Sequence, residues 1–472
     1  MDKIDDSMSD IFRVLKESAL TQKLGGGVGY DFTTIRPQGA EVSSLKTGAG
    51  GPLSFMRIFD ATTKTIVGVG QRMGAQMGIM DVSHPDVMDF ITAKKGLENE
   101  ELTKFNISVA ISDEFLGAVK RGEDWTFKFD GKEYGTRPAQ EVMDAITKNA
   151  YDYAEPGVIF IDRVNEWNNL KYCEDVRACN PCGEQPLGPY GACLLGSFNL
   201  TQYVGEHRRF DFDRFAQDIP TAVNFMDRVI DKSVYPLDAQ KLEAEGKRRM
   251  GIGITGFASV LAMMGMKYGD PDCMTFIDHM METLRNEAYR ASANLARERK
   301  PFPYFNATKY LKSKFVQQLP RDIRQDIKNF GIRNSHLLSI APTGTISLEA
   351  NCVSHSIEPD FEKVYKRNTV VSDQGETKEF EIETYAYRWL RDQGREEEAE
   401  NLETVADIHP KTHIAIQSRF QRYVDSSISK TINVEEDYPY EDFKDLYISA
   451  YDNGCKGLTL YRPSEKMASV IS

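Results

Sequence analysis

The sequence predicts an α/β domain whose length suits a closed barrel better than a small open sheet. Short apolar runs bounded by turn residues, as buried parallel strands tend to be, alternate along the chain with helices that carry a charged face. Across the 472 residues there is no internal repeat, low-complexity tract or Pro/Ser-rich linker to mark a domain boundary. We therefore expect one continuous domain over residues 1–472.

The individual elements follow from local patterns. Residues 5–19 have helical periodicity with a start signal at Ser7, and residues 55–66 follow Pro52 and Ser54 in the manner of a capped amphipathic helix. Strongly charged residues dominate 373–403, which we interpret as solvated helix and loop. The other expected helices are 211–231, 272–299, 379–393 and 440–452, and the expected strands are 157–161, 192–195 and 336–341.

Charge and hydropathy exclude several classes of protein. The chain has 58 basic and 71 acidic residues, a net charge of −13, and no long Lys/Arg run, which argues against a surface for duplex nucleic acid. Phosphate can still be held by backbone N–H groups. No stretch approaches the roughly 20 apolar residues of a membrane span, and the residues after Met1 lack the apolar core of a signal peptide. We expect a cytoplasmic protein.

The cysteines are odd in number and unevenly spread. Seven cysteines in a chain of this length argue against a secreted disulfide framework. Four of them, Cys173, Cys179, Cys182 and Cys193, lie close together in sequence. They contain one CxxC pair, whereas structural zinc usually requires two such knuckles. A non-catalytic, zinc-holding nucleotide-binding protein stays open as an alternative.

The segment Asn180-Pro-Cys-Gly-Glu184 places an amide, a thiol and a carboxylate at alternate positions. These side chains share one side only if the backbone is extended, which predicts a loop tip or strand end. A carboxylate beside a thiol permits proton removal together with a sulfur-centred step. The other interpretation of Cys182 is a buried free cysteine beside a turn, and Cys193, in an apolar run, also reads as a core cysteine. The residues alone leave both interpretations open.

Three glycine-containing segments are candidates for ligand binding. Residues 341–347, Ala-Pro-Thr-Gly-Thr-Ile-Ser, follow an apolar run and offer the donors that phosphate needs, but they lack the lysine of a P-loop. Residues 25–29 are glycine-rich, which indicates either close backbone approach or a flexible turn. Residues 251–256 match GxGxxG, but the charged residues before them cannot be the buried strand that a dinucleotide site requires.

Taken in order, these segments resemble the large subunit of ribonucleotide reductases. No single motif is decisive, but the ordered set is specific. The matching stretches are Asp6-Ser7, 25–32, 35–37, 51–60, 81–86, 105–109, 180–184, 195–200, 341–345, 357–359 and 454–461. The resemblance implies a ten-stranded α/β barrel with a central finger loop.

The resemblance also implies roles for individual residues. Cys182 would carry the thiyl radical that takes the 3′ hydrogen of a ribonucleotide, Glu184 would remove the 3′-hydroxyl proton, and Asn180 would hydrogen-bond the sugar. Cys193 would be one of two reducing thiols. The implied substrate contacts are Gly27, Asn180, Pro181, Cys182, Gly183, Glu184, Pro342, Thr343, Gly344, Thr345 and Ile346. The implied effector site, for a deoxynucleoside triphosphate, comprises Asp6, Ser7, Arg36, Gln71 and Arg72.

The source of the radical is indicated near the C-terminus. Members of the family that receive it from a metal-containing partner use two adjacent tyrosines, and the matching pair here is Tyr461-Arg462. The chain therefore resembles the adenosylcobalamin-dependent class, with no metal site of its own expected. A metal-partnered reductase remains the nearer alternative. The effector loop, 70–74, resembles that of dimeric enzymes and favours diphosphate substrates, although Met73 replaces a basic residue found in many relatives.

The family's second reducing cysteine precedes the Asp-Ser pair, and no cysteine precedes Cys173 in this chain. A disulfide requires Cα atoms about 4.4–6.8 Å apart, so Cys193 has no obvious partner. The cysteine-bearing C-terminal tail of the family is also not matched. We expect a divided reductase in which a second polypeptide supplies the missing cysteine; a truncated or inactive remnant is the alternative. Other expected partners are a thioredoxin-like reductant and a second copy of the chain.

Overall fold

A computed structural model describes residues 1–42, 47–66, 74–95, 101–370 and 377–464 as a mixed α/β fold. The first helix, α1 (Met8–Lys23), shows how local sequence sets an element. The Ser7 hydroxyl accepts a hydrogen bond from the Asp10 backbone N–H, as an N-cap residue does. Ile11, Val14 and Ser18 are buried at helical spacing on its inner face. Within the described ranges, no helix is long and apolar enough to cross a membrane.

The remaining helices lie mostly where periodicity predicts them. Asp211 caps α7 and Asp270 caps α10, so both long helices begin at predicted positions. The helices are α2 (Gly51–Thr65), α3 (Val87–Ile91), α4 (Asp113–Arg121), α5 (Ala139–Tyr153), α6 (Ile161–Glu166), α7 (Phe212–Lys232), α8 (Asp238–Lys247), α9 (Phe257–Met264), α10 (Pro271–Arg299), α11 (Ala307–Tyr310), α12 (Lys314–Gln317), α13 (Arg321–Phe330), α14 (Gly344–Glu349), α15 (Tyr385–Asp392), α16 (Glu396–Glu400), α17 (Pro410–Gln421) and α18 (Tyr440–Asp452).

The strands are short and separated by helices or loops. They are β1 (Val28–Asp31), β2 (Glu41–Val42), β3 (Thr47–Gly48), β4 (Gln76–Asp81), β5 (Phe105–Ile111), β6 (Asp124–Phe129), β7 (Lys132–Pro138), β8 (Gly157–Phe160), β9 (Ala178–Cys179), β10 (Pro186–Leu187), β11 (Leu194–Asn199), β12 (Met250–Thr255), β13 (Val364–Val370), β14 (Thr377–Glu383), β15 (Thr431–Asn433) and β16 (Gly457–Tyr461).

The largest sheet has the order β1-β4-β5-β8-β16-β15. The strands β1, β4, β5 and β8 are mutually parallel, β16 runs antiparallel to β8, and β15 is parallel to β16. Because β16 is reversed, the C-terminal ends of β15 and β16 lie at the same edge as the N-terminal ends of the first four strands. Gly27, directly before β1, lies at this edge.

A second sheet pairs β11 with β12 in parallel, from Leu194 opposite Met250 to Asn199 opposite Thr255. Single parallel bridges continue the pairing from Ile252 to Leu338 and from Ile340 to Ile428. Residue 428 lies just before β15, so these bridges connect the second sheet to the first. In the described part of the chain, β11 and β1 are not paired with each other, so the closed ten-stranded barrel is not confirmed.

Three predicted elements differ in the structure. Residues 336–341 are extended but form only single bridges, because the Asp425 carboxylate accepts the backbone N–H groups of Leu337 and Leu338. The strand expected at 192–195 is β11, which begins at Leu194 and runs to Asn199. The helix expected at 379–393 is wrong in its first part. Residues 377–383 form the hairpin strand β14, where acidic and apolar residues alternate with the period of two that a strand requires.

The two largest apolar cores of the described residues surround the two sheets. One surrounds the largest sheet and includes Tyr30, Phe32 and Phe105, covered by α1, α2, α5 and α18. The other surrounds β12 and the long helix α10, with Ile252 and Tyr289 among its members. The two parts thus each pack helices against strands, in the manner of an α/β fold.

Candidate active site

The Cys182 segment forms a tight loop between the paired strands β9 and β10. The Asn180 backbone N–H donates to the Gln185 carbonyl at 3.2 Å, and the Asn180 side-chain oxygen accepts from the Gln185 N–H at 2.9 Å. Gly183 turns the chain at φ +83°, a conformation that glycine adopts at little cost. The predicted loop tip is therefore present, with Cys182 exposed on it.

Contacts from both sheets hold this loop. The Asn106 amide, on β5, donates to the Pro181 carbonyl at 2.8 Å. The Ser339 hydroxyl and the Ser427 backbone N–H each donate to the Glu184 carbonyl at 3.0 Å. These anchors come from three separate parts of the chain, and no motif in the sequence marks them.

Glycines let the sheets approach the loop closely. A Cβ at Gly29 would lie 1.8 Å from the Cys179 carbonyl oxygen, and one at Gly27 would lie 3.0 Å from the Pro181 ring. On the other side, a Cβ at Gly253 would lie 2.3 Å from the Ser339 carbonyl oxygen. Of the two interpretations of residues 25–29, close backbone approach is therefore correct. Residues 251–256 of the GxGxxG match lie in or beside the buried strand β12 and follow a helix rather than a strand.

Substituting Gly29 by alanine should displace the loop, because the added methyl group meets backbone that cannot move alone. Overpacking of this kind typically costs about 1–3 kcal/mol. Urea unfolding should show the loss, and the alkylation rate of Cys182 should change with it. The matched control is Gly205→Ala, where a Cβ would meet nothing within 4 Å. Equal stability of the two variants would contradict the close approach of Gly29 to the Cys179 backbone.

Glu184 is buried whereas Cys182 is exposed. Its side chain is 1% exposed, and its Oε2 atom has no hydrogen-bond partner. Burial raises the pKa of the Glu184 carboxyl, and the Asn180 side chain acts in the opposite direction. A carboxylate whose pKa is raised is a stronger base, and its unpaired oxygen can accept a proton from a bound molecule.

The raised pKa has a consequence for stability. The folded state retains a proton on Glu184 at pH values where the unfolded carboxyl has lost it, so stability falls as pH rises through that window. We expect Glu184→Gln to raise the melting temperature at neutral pH. The gain should vanish below the unfolded pKa of about 4.3. The control is Glu133→Gln, at a side chain 70% exposed. A lower melting temperature for Glu184→Gln at neutral pH would contradict a raised pKa of the Glu184 carboxyl.

A cavity of about 840 Å³ opens beside the loop. Its walls include Cys179, Cys182 and Pro342, so the phosphate loop predicted at 342–346 reaches the same space as the thiol. Within that loop the Thr343 hydroxyl is buried, paired with Thr255 at 2.9 Å and accepting the Ser356 N–H at 2.7 Å. Thr345 and Ile346 are exposed, and Gly344 begins α14.

A second cavity, of about 810 Å³, continues along the same strands. Thr431 and Thr459 are paired and line the first cavity, whereas Asn433 and Tyr461 are paired and line the second. Alternate residues of a strand point to the same face. The two cavities therefore follow one another along a single face of β15 and β16, outward from Cys182.

Cys193 lies directly before β11 and is partly buried. Burial raises the pKa of its thiol, the Arg249 guanidinium lowers that pKa, and the carboxylates of Glu184 and Asp425 raise it. None of the seven cysteines, which all lie in the described residues, forms a disulfide. In the described part of the chain, no three His, Cys, Asp or Glu side chains form a group able to hold a metal ion.

The structure brings three of the five predicted effector residues together. The Arg36 guanidinium donates to the Asp6 carboxylate at 2.6 Å. Asp6 directly precedes Ser7, the N-cap residue of α1. Gln71 and Arg72, with most of the loop 70–74, lie outside the described residues. The role of this cluster stays a prediction.

The fold is an α/β domain in which the Cys182 loop is held between the two sheets. A family model described as "Ribonucleotide reductase, barrel domain" matches residues 1–461. The chain belongs to this ribonucleotide reductase family.

Curated relatives match the chain along almost its whole length. One is a vitamin B12-dependent ribonucleoside-diphosphate reductase of Thermoplasma acidophilum, 38% identical over 99% of this chain and 61% of that protein. Another, with the same description, is from Mycobacterium tuberculosis, 36% identical over 99% of this chain and 68% of that protein. A vitamin B12-dependent ribonucleotide reductase of Rhodopirellula baltica is 26% identical over 99% of this chain and 52% of that protein. The chain thus spans about three fifths of the first of these relatives.

Proposed function

We propose that this chain is the catalytic part of an adenosylcobalamin-dependent reductase that converts ribonucleotides, as diphosphates, to 2′-deoxyribonucleotides. The observation that carries the proposal is an exposed thiol, Cys182, at the wall of a cavity, with a buried carboxyl that has an unpaired oxygen, Glu184, two residues along the same loop. The names of the B12-dependent relatives support the same class of reaction.

Each loop residue has a task in this reaction. The Cys182 sulfur, as a thiyl radical, takes the hydrogen atom from C3′ of the ribose. Glu184 accepts the 3′-hydroxyl proton, for which its free oxygen and raised pKa suit it. The Asn180 side chain orients the sugar hydroxyls beside that carboxyl. Because the loop is held from both sheets, these groups keep their spacing while substrate binds.

Reduction requires two electrons and two protons. Two thiols supply them, one being Cys193; a disulfide forms between their sulfurs, the C2′–O bond breaks, and water leaves. Cys193 forms no disulfide here. A second polypeptide would supply the other thiol, and a thioredoxin-like protein would re-reduce the pair.

The two cavities suit a cofactor with a long body. The wall near Cys182 offers polar groups for a nucleoside portion, among them Thr431, Thr459 and Gln417, whose buried Oε1 has no hydrogen-bond partner. The wall farther out, around Phe361 and Tyr461, is largely apolar and aromatic and suits a bulky ring system. Adenosylcobalamin, when bound, supplies the radical. These residues would hold it and exclude water from Cys182.

The residue after Tyr461 favours this class over a metal-partnered one. Arg462 lies 3.9 Å from the Tyr151 ring centre and donates from its Nε to the Tyr151 carbonyl at 3.0 Å. A stacked guanidinium occupies the position of the second relay tyrosine and cannot be oxidised in its place.

Further features of the family are proposed with this function. Within Pro342 to Ile346, the backbone N–H groups of 343–346 would bind the phosphates, because proline has no N–H and the Thr343 hydroxyl is already paired. Gly27 would contact the substrate through its backbone. Asp6, Ser7, Arg36, Gln71 and Arg72 would bind a deoxynucleoside triphosphate in a homodimer. The strands would complete one ten-stranded barrel domain over residues 1–472.

The test incubates the chain, alone and with a candidate polypeptide that carries the second cysteine, with a ribonucleoside diphosphate, dithiothreitol and adenosylcobalamin, and measures deoxynucleotide by chromatography. Product that depends on adenosylcobalamin supports the proposal. Product formed equally without it, on addition of an iron or manganese subunit, would establish the metal-partnered alternative. Nucleotide binding with stoichiometric zinc and no product would establish the non-catalytic one.

A further inference from the structure

Arg249 lies beside Cys193, and each of them directly precedes one of two paired strands. The parallel register of β11 and β12 places Leu194 opposite Met250, so one residue earlier Cys193 falls opposite Arg249. Residues at the same register position of adjacent strands point to the same face. That face is the inner one, because the next residue on the same side of β12, Gly251, lies against Gln185 of the Cys182 loop.

The guanidinium of Arg249 is buried and only partly used. Its Nη2 donates to the Glu174 carboxylate at 2.5 Å, while its buried Nε has no hydrogen-bond partner. Glu174 is shared with Lys247, whose ammonium donates to its other oxygen at 2.9 Å. Glu174 is therefore saturated with donors, whereas Arg249 retains a donor and a charge for another group.

The charged groups around Cys193 come from three elements. Arg249 lies next to it directly before β12, Glu184 lies on the Cys182 loop, and the Asp425 carboxylate accepts the backbone N–H of Leu337. The two carboxylates disfavour a thiolate at Cys193, as does burial. Arg249 is the cation among these neighbours.

We propose that Arg249 is a positioning residue that stabilises the thiolate of Cys193 and so speeds its thiol–disulfide exchange. When the thiolate of a dithiol reductant attacks the partner sulfur of a disulfide containing Cys193, the S–S bond breaks. Cys193 leaves with the bonding electron pair as a thiolate, and the partner sulfur forms a mixed disulfide with the reductant. The second thiol of the reductant then attacks that mixed disulfide, so the partner sulfur is released as a thiol and the dithiol is oxidised. A leaving thiolate that is better stabilised departs faster. The redox role of Cys193 rests on the proposed function, but the effect of Arg249 on its thiol does not.

The test measures the rate at which iodoacetamide alkylates Cys193, followed by peptide mass spectrometry across neutral to alkaline pH. Arg249→Gln keeps a donor for Glu174 but removes the charge. We expect its alkylation midpoint to move to higher pH, with the rate at neutral pH falling about tenfold for each unit of that shift. Arg249→Lys should restore most of the rate. Lys247→Gln, which removes the other cation from Glu174, is the matched control and should leave the profile unchanged.

A second variant keeps the proposal testable if Arg249→Gln does not fold. Glu174→Gln leaves Arg249 without its countercharge, so the Cys193 midpoint should move to lower pH. An unchanged profile in a folded Arg249→Gln protein, or a rise in Glu174→Gln, would overturn the proposal. Since alkylation needs neither substrate nor cofactor, these outcomes are independent of whether the chain reduces ribonucleotides.

Discussion

Replacing Cys182 by serine is expected to abolish deoxynucleotide formation and leave the fold intact. The side chain is exposed at the loop tip, so little packing is lost. A serine O–H bond is much stronger than a thiol S–H bond, so the oxygen cannot replace the sulfur as a radical that is formed and regenerated in each turnover. Removal of a nucleophile that acts as part of a unit can cost about 10⁶-fold in other enzymes. We expect a loss of at least about 10³-fold, since no neighbouring group can take over.

The measurement compares product formed per chain with melting temperature and nucleotide affinity. Cys173→Ser is the matched control, because Cys173 is also an exposed cysteine but lies outside the loop. It should retain activity. Turnover by Cys182→Ser within a few-fold of the unmodified chain would remove Cys182 from the mechanism.

Replacing Asp227 by asparagine is expected to destabilise the fold more than replacing Gly29 or Cys182. The Asp227 carboxylate, on α7, is fully buried. It accepts from Arg248 at 2.8 Å, from Arg299 and Arg333 at 3.3 Å each, and from the Asn334 amide at 3.0 Å. Breaking a buried ion pair by removing one partner typically costs about 3–5 kcal/mol, because the remaining charge is left without compensation. Here Arg299 and Arg333 would lose the carboxylate that they share, and Arg248 would keep only Asp231.

Asp231 provides the control on the same helix. It also pairs with Arg248, at 2.7 Å, but its side chain is 45% exposed. Exposed pairs contribute about 0–1 kcal/mol, so Asp231→Asn should unfold in urea nearly as the unmodified chain does. Similar losses in the two variants would show that burial does not decide the effect. The Asp227 cluster also holds the chain just before β12, so its loss should alter the alkylation of Cys193.

Local features of this protein could be predicted from the sequence because they depend on neighbouring residues. Ser7 begins α1, and Tyr440–Asp452 is helical as predicted, since capping and periodicity act within a few residues. The spacing of Asn180, Cys182 and Glu184 indicated a loop, but not that Cys182 is exposed on it while Glu184 is buried. The charged stretch 377–383 was misread because a two-residue period is obscured where most residues are polar.

What the tertiary structure decided depends on residues far apart in the chain. The sequence by itself determined the α/β pattern, the thiol and carboxylate of the loop, and the family. Only the fold brought Ser339 and Ser427 to the loop, paired the Thr343 hydroxyl internally, and placed Arg249 opposite Cys193. Periodicity reports which face of an element is buried but not which element covers it. The groups that hold and tune the two cysteines are set by that covering, and therefore by the packing of the whole chain.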